Sequence, residues 1–229
     1  MRYSKGFTLV EVAEPRQHKG FWSKGFTLAE VLITLGIIGV VAALTIPTLI
    51  SSFNKKIVET RLVNFYSTIN NAIELAEVEQ GHISTWDYKS TIDIFERFLA
   101  PYLKVLKCEK TDNGKTEVIY FMDGSLLKVF DYNAMDWYYI PKETKKYSYG
   151  QTSFLFNFYP ARVSNNINTK YLKGKVVTPY LFAWDEQRET LKQNCAGTGG
   201  PSGLGKGAYC TALIWFNNWK VPDDYPYKF

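Results

Sequence analysis

Three regimes of hydrophobic patterning divide this chain. From Val31 to Ile50 twenty residues run without a charge, enough as a helix to cross roughly 30 Å of hydrocarbon. Past Pro47 the pattern becomes periodic: Val58, Leu62, Phe65, Ile69, Ile73 and Ala76 fall at spacings of three and four. That is one apolar stripe on a helix expected to end at about Gln80, where Gly81 stops it. Asn54, Lys55, Glu59, Asn64, Asn70 and Glu77 lie between and are expected to form the polar opposite face. The two regimes make one helix of about 55 residues, roughly 80 Å long, apolar all round in its first half and amphipathic in its second.

In the third regime helical and alternating spacings mix. Ile92, Phe95, Phe98, Leu99, Tyr102, Leu103 and Leu106 predict a shorter helix over Thr91 to Leu106, divided at Pro101. Thr116–Met122, Asp123-Gly124 and Ser125–Phe130 then read as a hairpin, with Asp-Gly supplying the positive backbone angles of a tight turn. Ser153–Tyr159, Val176–Ala183 and Tyr209–Phe216 are further strand candidates, rich in aromatic and branched residues. The expected fold is α+β, an antiparallel sheet laid on the amphipathic half of the first helix, because that buries both apolar faces.

At the mouth of the apolar run stands Lys24-Gly25-Phe26-Thr27-Leu28, with Glu30 the nearest acid. This resembles the processing signal of type IV prepilins and pseudopilins. The resemblance implies that a prepilin peptidase cuts after Gly25 and that Phe26 becomes an N-methylated N-terminus. Glu30 is then the fifth residue of the mature chain and Pro47 the twenty-second, the family's places for an assembly acid and a helix-kinking proline. A carboxylate near the apolar zone costs about 2.5–3.5 kcal/mol on insertion scales and calls for a partner. In the family that partner is the N-terminal amine of a neighbouring subunit. A conventional secretory signal fits less well, since it needs its cleavage site after the apolar region, where Val40-Val41-Ala42 and Ala42-Ala43-Leu44 are weak matches. A plain signal anchor does not explain the fixed offset of Glu30.

The resemblance also divides the chain. Residues 1–25 are expected to be a leader, 26–50 a transmembrane and filament-core helix, and 51–229 an exported domain that includes the amphipathic helix. The formal charge is +5; the leader's five basic and two acidic residues removed, 22 basic residues face 20 acidic, or +2. That balance gives no reason to assume a nucleic-acid partner. The basic leader favours a cytoplasmic N-terminus, although Lys55 and Lys56 weaken the asymmetry. Within the leader, Ser4-Lys5-Gly6-Phe7-Thr8-Leu9-Val10-Glu11-Val12 repeats the motif of Ser23–Val31 nineteen residues upstream. It has no apolar sequel, and reads as a duplication remnant or an upstream start.

Candidate chemistry is sparse. Cys195 and Cys210 bracket a C-terminal segment like the disulfide-bounded loop of many type IV pilins, which makes them the preferred pair. Pairing of either with Cys108 and a fully reduced chain are the alternatives. Between them Gly200, four residues on from which comes Gly205-Lys206, nearly matches a phosphate-binding loop, but Gly207 replaces the magnesium-binding hydroxyl and Ala208–Trp215 reads as a strand instead of the required helix. The Trp137–Tyr149 run mixes aromatics and lysines as a nucleic-acid or glycan surface does, yet reads more simply as a solvated loop. Asp223 and Asp224 match no calcium loop. With His18 and His82 the only histidines, neither a metal centre nor a catalytic triad is expected.

The sequence therefore describes a structural subunit without cofactor. Its implied partners are itself or related pilins, prepilin peptidase, an inner-membrane assembly platform and, before assembly, the bilayer. The alternative is a minor tip subunit that binds DNA, a host surface or an exported substrate.

Overall fold

The computed structural model describes residues 25–130, 136–161, 171–197 and 206–229. The leader repeat and most of the glycine-rich segment lie outside the described residues. The chain separates into two compact units, one ending at Thr45 and the other Ile46–Phe229. Helix α1, Leu28–Gln80, contributes to both and runs through Pro47 without ending. Gly81 stops it, at φ +80°, a backbone angle that L side chains rarely adopt.

In the first unit the apolar residues of α1 are bare. Ile38 is 62% exposed, and no part of the most apolar window is buried. By length and composition this helix can cross a membrane. The hydroxyls of Thr34 and Thr45 donate to the helix's own carbonyls, of Val31 and Val41, both at 2.9 Å. Both polar groups are thereby satisfied without water, as an apolar medium demands.

In the second unit all six residues of the α1 stripe are buried. At about 1.5–3 kcal/mol for each large side chain, their burial is a principal attachment of helix to domain. Phe65 stacks on Tyr139 with ring centroids 4.1 Å apart and meets Phe156 edge-on at 4.9 Å. Glu59 and Asn70, expected on the solvent face, are buried instead. Each directly follows a stripe residue and so lies on the stripe's shoulder, about 100° around the helix from its centre. Glu59 accepts the Val221 N–H at 3.0 Å and pairs with Lys220 at 3.2 Å. Asn70 accepts from Val176 and Val177 N–H at 3.2 and 3.1 Å and donates to the Val177 carbonyl at 2.8 Å. Arg61 adds a third attachment, donating to the carbonyls of Pro141 and Asp123.

The second helical stretch is shorter than its spacing predicts. Ser90 caps α2, Thr91–Ile94, by accepting the Asp93 N–H. The chain widens into a π turn over Phe95–Leu99 and tightens into a 3₁₀ turn at Ala100–Tyr102. Pro101 cannot donate to a continuing helix, so Leu106 falls not on a helix but in strand β1.

Six strands form one antiparallel sheet in sequence order: β1 Val105–Thr111, β2 Thr116–Phe121, β3 Leu126–Phe130, β4 Asp136–Ile140, β5 Phe154–Phe158 and β6 Val177–Pro179. The β2–β3 hairpin is present, but its loop has three residues and only Gly124 takes a positive φ. Gly124 N–H bonds back to Phe121 while Phe121 N–H bonds to Ser125, the bulged form of the turn. Strand β4 occupies the start of the run expected to be a solvated loop, with Trp137 and Tyr139 fully buried. Both its faces are covered, so Trp137-Tyr138-Tyr139-Ile140 shows no alternation of apolar and polar residues. β6 is likewise shorter than the expected Val176–Ala183.

Two further helices follow the sheet, α3, Arg188–Ala196, and α4, Cys210–Phe216. α4 replaces the strand expected over Tyr209–Phe216. A short apolar run buried on every side has no period to distinguish helix from strand. Two cores result. On one side of the sheet, α1 and α2 meet Ile119, Leu127, Val129, Trp137, Phe154 and Phe156. On the other, α3 and α4 pack over Leu155 and Tyr159. The outer edges of the sheet differ: Asn70 occupies backbone groups at β6, whereas β1 is exposed and carries Lys107, Glu109 and Lys110, charges of the kind that discourage edge pairing.

Candidate assembly site

The N-terminus of α1 is built by four residues. Thr27 precedes the first helical residue, and its hydroxyl accepts the Glu30 N–H at 3.2 Å. Glu30 reaches back: its Oε2 accepts both the Thr27 N–H and the Thr27 hydroxyl at 2.8 Å. This is a reciprocal capping box, which satisfies helix-end donors that have no intrahelical partner. The Thr-x-x-Glu spacing announces it in the sequence. The arrangement engages one carboxylate oxygen, and Oε1 has no hydrogen bond among the described residues. Phe26 is 86% exposed beside it, and a Cβ at Gly25 would meet nothing within 4 Å. Pro47 lies inside α1 two residues past the division between the units. It removes the bond that an amide at this position would give to Ala43.

At the other end of the chain Cys195 and Cys210 are joined, tying the end of α3 to the start of α4 across fifteen residues. The chain terminus wraps this bond. Tyr227 hydroxyl donates to the Cys195 carbonyl at 2.8 Å and Tyr225 hydroxyl to the Gly150 carbonyl at 2.6 Å. Gly150, at φ +80°, lies so close to Cys210 Sγ that a Cβ there would collide with it. The glycine-rich segment follows helix α3, not a strand. The helix judged missing from a phosphate-binding loop is present as α4, but the strand such a loop must leave is not.

Cys108 is a free thiol, exposed on β1. Partial burial and the neighbouring Glu117 carboxylate push its pKa up to about 11. Glu117 itself is 1% exposed, and its Oε2 has no hydrogen-bond partner. Burial raises its pKa, with Glu96 adding to the rise and Lys110 opposing it. Asp224, weighed for calcium, is held by Arg188 at 2.7 and 3.0 Å and Lys192 at 3.3 Å. These cations keep its carboxyl well below the ordinary range. Among the described residues no cluster of three or more metal-ligating side chains occurs.

A long N-terminal helix followed by an antiparallel sheet is an α+β, pilin-like arrangement. Residues 23–46 match the prokaryotic N-terminal methylation motif, the signature of type IV pilins and pseudopilins. The chain belongs to a family of unknown function, DUF6613, which matches residues 48–229. The two matches meet at Pro47, close to the division between the two units. No curated protein and no solved structure matches the chain.

Proposed function

We propose that this protein is a structural subunit, cut between Gly25 and Phe26 by a prepilin peptidase, methylated on Phe26 and polymerised into a type IV pilus or a type II secretion pseudopilus. The observation that carries the reading is the capping box beside a bare apolar helix. One Glu30 oxygen is committed to Thr27 and the other is available to a cation. The box involves only Thr27 and Glu30, so cleavage before Phe26 leaves it intact. N-methylation keeps the new amine positive, and the amine of a neighbouring copy compensates the second oxygen. Before assembly the apolar half of α1 rests in the inner membrane with the leader in the cytoplasm. An assembly platform then draws it out, and copies or related pilins replace lipid around it. The role of the chain is structural, not catalytic.

Mass spectrometry of the mature N-terminus is the direct test, with a chain beginning at methylated Phe26 expected. Recovery of Met1, Val12 or Ala43 as the first residue refutes processing at this site. Glu30→Ala is expected to leave the protein in the membrane and to lower its recovery in sheared filaments by tenfold or more. Undiminished filaments from that variant would refute the pairing of Glu30 with an amine.

A further inference from the structure

Half-buried aromatic rings gather around one exposed ring on the second unit. Phe216, at the end of α4, is 41% exposed. Tyr171 lies 5.5 Å from it nearly perpendicular, and Trp184 lies 4.8 Å from it at 41°. The row continues through Trp215, 5.0 Å from Phe216, to Trp219 at 6.5 Å from Trp215. Between Tyr171 and Trp219 opens a cleft of about 450 Å³, with Lys173 and Asn218 also on its wall.

The backbone around this cleft is unusual. Among the described residues seven non-glycine positions take a positive φ, and five of them, Lys173, Ala183, Glu186, Asn218 and Trp219, sit in the loops that carry these rings. For a side chain as large as Trp219, at +60°, this conformation is a real outlier. Strain of this kind persists where the surrounding structure enforces it, and it concentrates at binding sites.

We propose that this cleft is a binding site for a neutral saccharide. One face of a pyranose carries C–H bonds that lie flat on aromatic carbon, and its hydroxyls point outward to donors and acceptors at the rim. The cleft supplies both. One of its rings, Tyr171, presents its face alone, because its hydroxyl is spent on Glu186 at 3.0 Å, and Trp184 backs this ring and Phe216 from behind. The Lys173 amine and Asn218 amide, whose side chains have no partner among the described residues, serve the hydroxyls. A polyanion is disfavoured by the Glu186 carboxylate, which the Tyr171 hydroxyl holds at the edge of the cleft. The site does not depend on whether the chain polymerises.

The test uses the full chain in a detergent without a sugar headgroup, applied to a printed array of neutral glycans. Tryptophan fluorescence is then titrated with the retained glycan. Saturable quenching is expected, weakened at least tenfold by Phe216→Ala and by Asn218→Gly, which removes the amide but keeps the left-handed backbone. Thermal unfolding of both variants should match the parent, so that loss of binding is not loss of fold. Retention of no glycan overturns the proposal, as does binding that neither substitution weakens. It is equally overturned if oligothymidylate or a proline-rich peptide binds, with the same sensitivity to the substitutions, where saccharides do not.

Discussion

The two halves of α1 are one continuous helix with opposite sources of stability. Around Ile38 the side chains are apolar and exposed, and none of the described residues covers them. Around Phe65 the same kind of side chain is enclosed by a sheet, and even polar neighbours are enlisted: Glu59, Arg61 and Asn70 each fasten a different segment. The second half is completed by tertiary structure, whereas the first, on the proposed function, is completed by lipid and then by other copies. A helix of this length with only one end folded into a domain is suited to a change of surroundings.

Substitutions on the two halves should therefore separate cleanly. The largest effect is expected for Phe65→Ala, which opens a cavity against Tyr139 and Phe156 and should cost about 3–5 kcal/mol. Urea unfolding of the full chain in detergent measures it, and a loss below about 1 kcal/mol would mean that the second half is not held by this packing. Next comes Asn70→Ala, about 1–3 kcal/mol in the same measurement, because Val176 and Val177 lose their hydrogen-bond partner.

A smaller and pH-dependent effect is expected at Glu117. Its folded pKa is raised above the unfolded value, so the stability tied to its neutral form is fully present below the unfolded pKa and is lost as pH rises through the folded one. Glu117→Gln should match the parent in acid and exceed it in melting temperature at neutral pH. The same variant should react faster at Cys108 with a maleimide at pH 8, since a nearby negative charge is removed. Equal melting temperatures at pH 7, or unchanged thiol reactivity, would contradict the buried charge. The smallest effect belongs to Ile38→Ala, which should leave domain unfolding within about 0.5 kcal/mol. A loss comparable to that of Phe65→Ala would erase the distinction between the halves.

The ends of α1, its stripe and the β2–β3 hairpin were legible because each obeys a local rule: charge-free length, a helical period, a glycine stop or a turn dipeptide. The same rules misassigned α4 and overlooked β1, β4 and α3. β4 and α4 are buried on more than one side, and burial on all sides removes the periodicity by which pattern identifies structure. Of the candidate site, Gly25, Phe26 and Glu30 were legible from spacing, and the Thr27–Glu30 box could have been read from Thr-x-x-Glu. The aromatic cleft could not. Trp215, Phe216 and Trp219 come from one segment, but Tyr171 and Lys173 come from another more than forty residues away, and nothing local says that the two converge.

Sequence alone thus determined the long helix, its uncharged first half and the methylation motif at its start, because these depend on neighbours a few residues away. Tertiary structure alone decided that Glu59 and Asn70 face inward, that Tyr209–Phe216 coils instead of extending, and that distant aromatics share a cleft. Those outcomes turn on which backbone groups and apolar surfaces are already occupied when a segment meets the sheet, and such occupancy is a property of the assembled fold.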